Sequence, residues 1–251
     1  MIFLSDLDRT LIFSYNRLSP DNFCVEEMDG KKLSFMTHRS AELFGKMVNE
    51  VRFIPVTTRS MNQYRRIKFP DGFMPELAVA DNSGNLLVND VPDSAWREEF
   101  DTLVNSCRHS LEQCRAFLEK REEIYLDIRM VDDTFLYTKS HTPEETAELM
   151  RSQLELNGVD IFTNGDKLYA IPRGIGKEAA VRKIRARFPN ETIVAAGDSL
   201  FDIGMLSAAD IAIVKGQELA DINIPSECIR ESGDDPDFTL TALEKLIAEK
   251  R

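Results

Sequence analysis

The stretch that decides the fold is Met1-Ile2-Phe3-Leu4-Ser5-Asp6-Leu7-Asp8-Arg9-Thr10. Its apolar run, Ile2 to Leu4, predicts a short buried strand. Asp6 and Asp8 follow that strand and can converge above its carboxyl end, where open α/β sheets bind their ligands. Two acids this close repel each other unless a cation lies between them or one holds a proton. The stretch therefore predicts a site for a hard divalent ion such as Mg²⁺. The alternative interpretation is a solvated acidic turn in which Asp8 or Thr10 caps a helix.

Composition and charge exclude several classes of protein. The chain has 251 residues, 43% hydrophobic and 29% charged, which is typical of a globular protein with one large or two modest domains. Its formal net charge of −12 argues against a nucleic-acid partner and against an anionic membrane surface, since both require basic patches. We expect neither a signal peptide nor a membrane span. The four cysteines form no CxxC pair, so we expect reduced thiols and a cytoplasmic location. The oligomeric state stays open.

The order of predicted elements divides the chain into two domains. Alternating strands and helices in residues 1–88 and 172–251 predict an α/β domain built on a parallel sheet. Residues 89–171 follow a different pattern, helix-strand-strand-helix-strand-strand, which predicts a smaller α+β domain inserted into the first. We expect its first helix to run from Asp93 to about Glu122 and its first strand from Ile124 to Met130.

Two local features of the first domain are also predicted. Asp29-Gly30 is a strong hairpin signal, here between strands Phe23–Glu27 and Lys32–Met36. This hairpin is either a flap over the site or an edge hairpin. A helix is predicted to begin near Ser60 and to stop before Pro70.

Polar side chains stand at the ends of further predicted elements of the first domain. They are Thr57, Thr58 and Arg59 after a second strand, Lys177 at the start of a helix, and Asp198 and Asp202 after a later strand. Because parallel strands end at one edge of a sheet, these side chains can meet the first two acids. Acids for a metal and for proton transfer, with a hydroxyl and an ammonium for an anion, suit phosphoryl transfer. Each residue alone also has an ordinary alternative role: Lys177 on a helix surface, Asp198 and Asp202 as helix caps, Arg59 in a structural ion pair.

In their order along the chain, these residues resemble the four motifs of the haloacid dehalogenase (HAD) superfamily. The matching segments are Asp6-Leu7-Asp8-Arg9-Thr10, Thr57 to Arg59, Lys177, and Gly197-Asp198-Ser199-Leu200-Phe201-Asp202. The inserted segment is similar to the αββαββ cap of the branch (subfamily IIB) with sucrose-phosphatase, mannosyl-3-phosphoglycerate phosphatase and Cof-type sugar phosphatases. The resemblance implies a Rossmann-like parallel-sheet core with an inserted α+β cap.

The resemblance also implies catalytic roles. Asp6 would be the nucleophile. Asp8 would be the general acid that protonates the leaving oxygen, and then the base that activates water. Lys177 would neutralise the phosphate and Asp6 together.

Phosphate and metal binding are implied in the same way. The phosphate-binding residues would be Thr57, Thr58 and Arg59. The residues around Mg²⁺ would be Asp6, Asp8 through its backbone carbonyl, Asp198, and Asp202 as a ligand or in support. Arg9 and Thr58 stand where this branch usually has glycine.

We therefore expect a Mg²⁺-dependent phosphomonoester hydrolase. It would act through phosphorylated Asp6 on a small phosphorylated metabolite, such as a sugar or sugar-acid phosphate, with the cap closing over the substrate. The alternatives are a phosphomutase on the same scaffold and a non-catalytic sensor of a phosphorylated metabolite. The presence of Asp8 argues against the sensor, because binding alone needs no proton donor.

Overall fold

The structure is a computed structural model that describes residues 1–131, 133–231 and 233–250. It divides the chain into two compact units. The core unit comprises Met1–Pro92 and Gly176–Arg251, and the inserted unit comprises Asp93–Ile175.

The secondary structure follows the order expected of an α/β core with an α+β insertion. The strands are β1 (Ile2–Ser5), β2 (Phe13–Ser14), β3 (Phe23–Met28), β4 (Lys31–Met36), β5 (Arg52–Pro55), β6 (Leu77–Ala80), β7 (Asn85–Val88), β8 (Val91–Pro92), β9 (Arg129–Val131), β10 (Phe135–Lys139), β11 (Val159–Asn164), β12 (Lys167–Pro172), β13 (Ile193–Gly197), β14 (Ile211–Val214) and β15 (Glu227–Arg230). The α-helices are α1 (His38–Met47), α2 (Met61–Tyr64), α3 (Ser94–Leu118), α4 (Pro143–Gln153), α5 (Lys177–Arg187), α6 (Ile203–Ala208) and α7 (Phe238–Glu249).

A five-stranded parallel sheet forms the centre of the core unit, in the order β15-β14-β13-β1-β5. Every residue of β1 is buried, which explains its continuous apolar run, because a central strand of a parallel sheet is covered on both faces. Pro55 is compatible with β5 because β5 is an edge strand of this sheet. The predicted α/β fold with a parallel-sheet core is confirmed.

The parallel arrangement fixes where the predicted site lies. The backbone N–H of Asp6 donates to the carbonyl of Ala196 at 2.9 Å, so β1 and β13 end at the same level. Asp6 directly follows β1, and Asp198 directly follows β13. Thr57 lies two residues beyond the end of β5, so all three residues are at one edge of the sheet.

The predicted hairpin is present as β3 and β4, which join β2 in a small antiparallel sheet. Asp29 and Gly30 both have positive φ, 53° and 74°, as a tight two-residue hairpin turn requires. The register of β3 shifts at Glu26, and Lys68 N–H donates to the carbonyl of Val25 at 2.7 Å. The hairpin is therefore tied to the segment that follows α2.

The predicted helix that begins near Ser60 and stops before Pro70 is present, and this pairing makes it short. The helix, α2, begins as expected with Ser60 as its N-cap, but it ends at Tyr64. Glu26 forms a β-bridge with Ile67, so the chain beyond Tyr64 is extended beside β3. Tertiary pairing here overrides a local helix signal.

The inserted unit has the predicted order α3, β9, β10, α4, β11 and β12. Its antiparallel sheet has the order β11-β12-β10-β9, and the buried stripe of α3 includes Trp96, Phe100 and Leu111. The expected strand Ile124–Met130 is wrong in extent, because only β9 is regular; Thr138 Oγ1, not a backbone N–H, donates to the carbonyl of Leu126 at 2.6 Å. Helix α3 also ends at Leu118, earlier than predicted. No helix in the described ranges is both long and apolar enough to cross a membrane.

Candidate active site

Three buried carboxylates form the centre of the candidate site, all in the core unit. Asp6, Asp198 and Asp202 each place a carboxylate oxygen within 4.8 Å of the others. Buried carboxylates destabilise a fold unless cations or hydrogen bonds compensate their charge. The compensation comes from Lys177 and Arg9 and from backbone N–H and hydroxyl donors.

Lys177, the first residue of α5, is the cation of the cluster. It is 2% exposed, and its Nζ lies 2.6 Å from Asp6 Oδ1 and 2.5 Å from Asp202 Oδ1. Burial raises the pKa of Asp6 well above its usual value; Lys177 lowers this pKa, whereas the charges of Asp202 and Asp198 raise it further. One lysine therefore does not neutralise the three acids.

Asp202 organises the loop after β13. Its Oδ2 accepts hydrogen bonds from Asp198 N–H at 3.0 Å, Ser199 N–H at 2.9 Å and Ser199 Oγ at 2.9 Å. Its Oδ1 accepts from Lys177. Both oxygens are thus engaged, and together they fix the positions of the lysine and of the Asp198 backbone.

Asp198 keeps one oxygen open. Thr10 Oγ1 donates to its Oδ1 at 3.2 Å. The other oxygen, Oδ2, is buried and accepts no hydrogen bond from the described residues, and Arg9 Nε forms an ion pair with it at 3.2 Å. Burial, and then the charge of Asp202, raise the pKa of Asp198 to about 6, against the lowering effect of Arg9 and Lys177.

Arg9 adopts a backbone conformation that is unusual for a residue with a side chain. Its φ of 64° lies in the left-handed region, which glycine adopts without steric cost. The side chain adds a cation, 48% exposed, beside the open oxygen of Asp198.

The donor set fits a hard divalent ion. It consists of carboxylate oxygens that lie close together, carry excess negative charge and include a buried oxygen without a hydrogen bond among the described residues. Mg²⁺ prefers such oxygen ligands, whereas softer ions prefer sulfur or imidazole, which this cluster lacks.

Asp8 lies outside this cluster and is held by Arg59. Arg59 Nε contacts Asp8 Oδ2 at 2.7 Å, and Arg59 Nη2 contacts Asp8 Oδ1 at 2.8 Å, in a bidentate pair. The remaining guanidinium nitrogen, Nη1, lies 2.9 Å from Oε2 of Glu26 in the hairpin. The ion pair that the sequence suggested for Arg59 is therefore present, and phosphate binding by Arg59 stays a prediction.

The two threonines of the second motif differ from each other. Thr57 is fully buried, and its Oγ1 accepts a hydrogen bond from Arg59 N–H at 3.1 Å. Thr58 is exposed. Within the described part of the chain, neither threonine is hydrogen-bonded to the carboxylate cluster.

Two residues at this edge were missed by the sequence analysis. Glu26 is 3% exposed in β3, and the signal was a glutamate directly after the apolar Phe23-Cys24-Val25. Lys215 follows β14 as Asp198 follows β13, and it is 1% exposed. Its position after a buried strand was the available signal.

Comparison with known proteins gives one family. The family model described as Sucrose-6F-phosphate phosphohydrolase matches residues 1–224. No curated protein sequence matches the chain significantly.

Solved structures share the fold over nearly the whole chain. Sucrose-phosphatase from Synechocystis sp. PCC6803, in complex with sucrose and phosphate, is 14% identical with a TM-score of 0.67, over 98% of this chain and 97% of that one. The HAD phosphatase BT1666 from Bacteroides thetaiotaomicron is 15% identical with a TM-score of 0.59, over 97% and 94%. Trehalose-6-phosphate phosphatase from Aspergillus fumigatus is 12% identical with a TM-score of 0.55, over 98% and 92%. At these identities the likeness concerns the fold.

Proposed function

Because the chain belongs to the sucrose-6F-phosphate phosphohydrolase family of phosphatases, we propose that it hydrolyses a small sugar phosphate with Mg²⁺ as its metal ion. The observation that supports this most strongly is the contact of Lys177 Nζ with Asp6 Oδ1 at 2.6 Å beside two further carboxylates. An attacking carboxylate needs a fixed direction and neighbouring positive charge, and Lys177 supplies both.

The reaction has two steps in this proposal. In the first, an Asp6 oxygen bonds to phosphorus, the bond from phosphorus to the sugar oxygen breaks, and Asp8 gives its proton to that oxygen. In the second, a water oxygen bonds to phosphorus, the bond from phosphorus to Asp6 breaks, and Asp8 accepts the proton of the water. Sugar and inorganic phosphate leave, and Asp8 is protonated again for the next turnover.

Asp6, Asp198 and the backbone carbonyl of Asp8 are the groups that we assign to the metal. Because both oxygens of Asp202 already accept hydrogen bonds, we assign Asp202 the supporting role. When bound, Mg²⁺ supplies positive charge that offsets the negative charge on the phosphate oxygens.

The phosphate itself is assigned to Thr57 and Lys177. Lys177 faces Asp6 at the point where the phosphate would arrive, and Thr57 follows the neighbouring strand β5. A hydroxyl and an ammonium are suitable partners for phosphate oxygens. Thr58 adds a second hydroxyl to this loop.

Relatives with the same fold suggest which sugars to test first. One is a sucrose-phosphatase and another a trehalose-6-phosphate phosphatase, so phosphorylated disaccharides are our first candidates, followed by monosaccharide and sugar-acid phosphates.

Release of inorganic phosphate from this panel with MgCl₂ tests the proposal. We expect release from at least one sugar phosphate, loss of release in Asp6→Asn, and no loss in Asp21→Asn, which makes the same change at an exposed site. Transfer of phosphate within the sugar without release would identify a phosphomutase. Binding without either reaction would identify a sensor, and both results would contradict the proposal.

A further inference from the structure

A buried carboxylate on the β3–β4 hairpin is connected to the candidate site. Both oxygens of Glu26 are engaged: Oε2 accepts from Ser34 Oγ at 2.8 Å and lies 2.9 Å from Arg59 Nη1, and Oε1 lies 2.9 Å from Arg66 Nη2. Burial alone would raise the pKa of Glu26, but the charge of Arg59 and hydrogen bonds from Ser34, Arg59 and Arg66 outweigh it and lower this pKa. Glu26 is therefore a fixed negative charge at neutral pH.

The hairpin is built to present this side chain. The register of β3 shifts at Glu26, and such irregularities re-aim a side chain out of the regular alternation. Ser34, opposite Glu26 in β4, donates to it, and the bridge to Ile67 brings Arg66 to its other oxygen. Ser34, Arg59 and Arg66, from three different segments of the chain, thus all contact the carboxylate of Glu26.

Arg59 transmits this fixed position to Asp8. The guanidinium is rigid and planar, so an anchor on Nη1 also sets the direction of the edge formed by Nε and Nη2. That edge holds both oxygens of Asp8. The Glu26 end is buried, at 3% side-chain exposure, whereas the side chain of Asp8 is 50% exposed. In this series of contacts, Glu26 of the hairpin is therefore the fixed residue, and Asp8 is the residue whose position depends on it.

We propose that Glu26 is a positioning residue of the phosphatase reaction: by anchoring Arg59, it aims the ionised Asp8 carboxylate at the water that hydrolyses phosphorylated Asp6. This inference rests on the proposed function, in which Asp8 accepts a proton from water in the second step. A carboxylate oxygen can accept more than one hydrogen bond, so the pair with Arg59 leaves capacity for that water. Hydrolysis of the phosphoenzyme is the step that depends on this geometry.

The test separates the two steps with 4-nitrophenyl phosphate, whose leaving group departs without a proton donor. For this substrate kcat/KM reports the steps through phosphorylation of Asp6, and kcat also includes hydrolysis of the phosphoenzyme. In Glu26→Gln we expect kcat to fall about tenfold while kcat/KM stays within about threefold of the wild type. A burst of 4-nitrophenol should precede the slow phase. Its amplitude counts folded active sites, so partial unfolding does not imitate the effect.

Two further variants complete the test. Glu27→Gln makes the same change at the adjacent, exposed position of β3, and we expect wild-type kinetics. Arg59→Lys keeps the charge but cannot bridge Asp8 and Glu26, and we expect the same split between kcat and kcat/KM as in Glu26→Gln. Equal losses of kcat and kcat/KM in Glu26→Gln, or unchanged kinetics, would overturn the inference. A wild type that does not hydrolyse the ester would instead overturn the proposed function.

Discussion

Lys177 Nζ lies 2.6 Å from Asp6 Oδ1 and 2.5 Å from Asp202 Oδ1, so one ammonium contacts two buried carboxylates that are distant in sequence. Burial alone would lower the pKa of Lys177, but the charges of Asp202 and Asp6 outweigh it and raise this pKa above its ordinary range. The lysine is therefore charged in the folded protein, and both the fold and the candidate reaction depend on that charge.

Lys177→Met is expected to reduce both stability and activity. It leaves Asp6 and Asp202 buried without their cation, which costs about 3–5 kcal/mol of the free energy of unfolding and about a thousandfold in phosphate release. Because a lysine with a raised pKa stabilises the fold at every pH below its unfolded value of about 10.5, the loss should be present at about pH 7 and should persist to about pH 9. Urea unfolding measures this loss of stability, and phosphate release measures the loss of activity. Arg182→Met removes an exposed charge from the same helix and should cost less than about 1 kcal/mol.

Binding of Mg²⁺ is expected to release protons below neutral pH. The pKa of Asp198 is raised to about 6, so this carboxylate is mostly protonated at pH 5 and mostly ionised at pH 7. A metal binds the ionised form, and the affinity should therefore rise about tenfold from about pH 5 to about pH 7. Calorimetric titration with MgCl₂ at several pH values measures this. An affinity that does not change with pH would show that Asp198 is not a ligand.

Arg9→Gly is expected to strengthen Mg²⁺ binding. Arg9 Nε lies 3.2 Å from the open oxygen of Asp198, so its charge competes with a metal ion there. The guanidinium is about half exposed and screened, and we expect only about a threefold gain in affinity. Glycine suits the positive φ of this position, so the backbone is kept. Arg9→Lys retains the charge and should bind Mg²⁺ like the wild type; weaker binding by Arg9→Gly would show that Arg9 supports the site.

Local signals in the sequence predicted those parts of the fold that local physics decides. The turn at Asp29-Gly30 needs positive φ at both positions, and few residue pairs provide it. The apolar run of β1 reflects burial on both faces. Polar residues directly after such strands gather at one sheet edge, which brought Asp6 and Asp198 together in the prediction.

The sequence is least informative where contacts between distant parts of the chain decide the structure. The helix after Ser60 ends at Tyr64 because the chain beyond it pairs with β3. The sequence of the helix and of the chain beyond it does not indicate this pairing. Glu26 was missed for a related reason. A glutamate in a strand is ordinarily solvated, and its burial becomes favourable only when Arg59 and Arg66 arrive from elsewhere in the chain.

Lys215→Met is expected to stabilise the protein at neutral pH. Lys215 Nζ donates no hydrogen bond within the described ranges and lies 4.2 Å from the ring centroid of Phe13. Burial lowers the pKa of Lys215 from 10.5 to about 8, which corresponds to a penalty of about 3 kcal/mol on the charged form. Lys215→Met removes this penalty but also loses the cation–π contact with Phe13. We therefore expect a net gain of about 1–2 kcal/mol in the free energy of unfolding.

The gain should depend on pH in a defined direction. The folded pKa of Lys215 lies below the unfolded one, so the penalty is complete below about pH 8 and disappears as the pH rises towards about 10.5. The advantage of Lys215→Met in urea unfolding should shrink over that interval. Lys245→Met, at an exposed position, should show no such trend, and a gain that did not change with pH would indicate packing as its origin.

Gly197→Ala is expected to damage the site although it adds a single methyl group. A Cβ at Gly197 would lie 2.5 Å from Cγ and 2.9 Å from Oδ2 of Asp202, so that side chain must move. Asp202 is fully buried and holds both Lys177 and the Asp198 backbone, so its displacement moves the lysine that faces Asp6. Overpacking of this kind costs about 1–3 kcal/mol, and a misplacement near the chemistry costs about a hundredfold in kcat/KM.

Gly176→Ala is the matched control, because a Cβ there meets no atom within 4 Å and the backbone is extended. Phosphate release and urea unfolding of both variants measure the difference. Equal activities would mean that Asp202 can shift without disturbing Lys177.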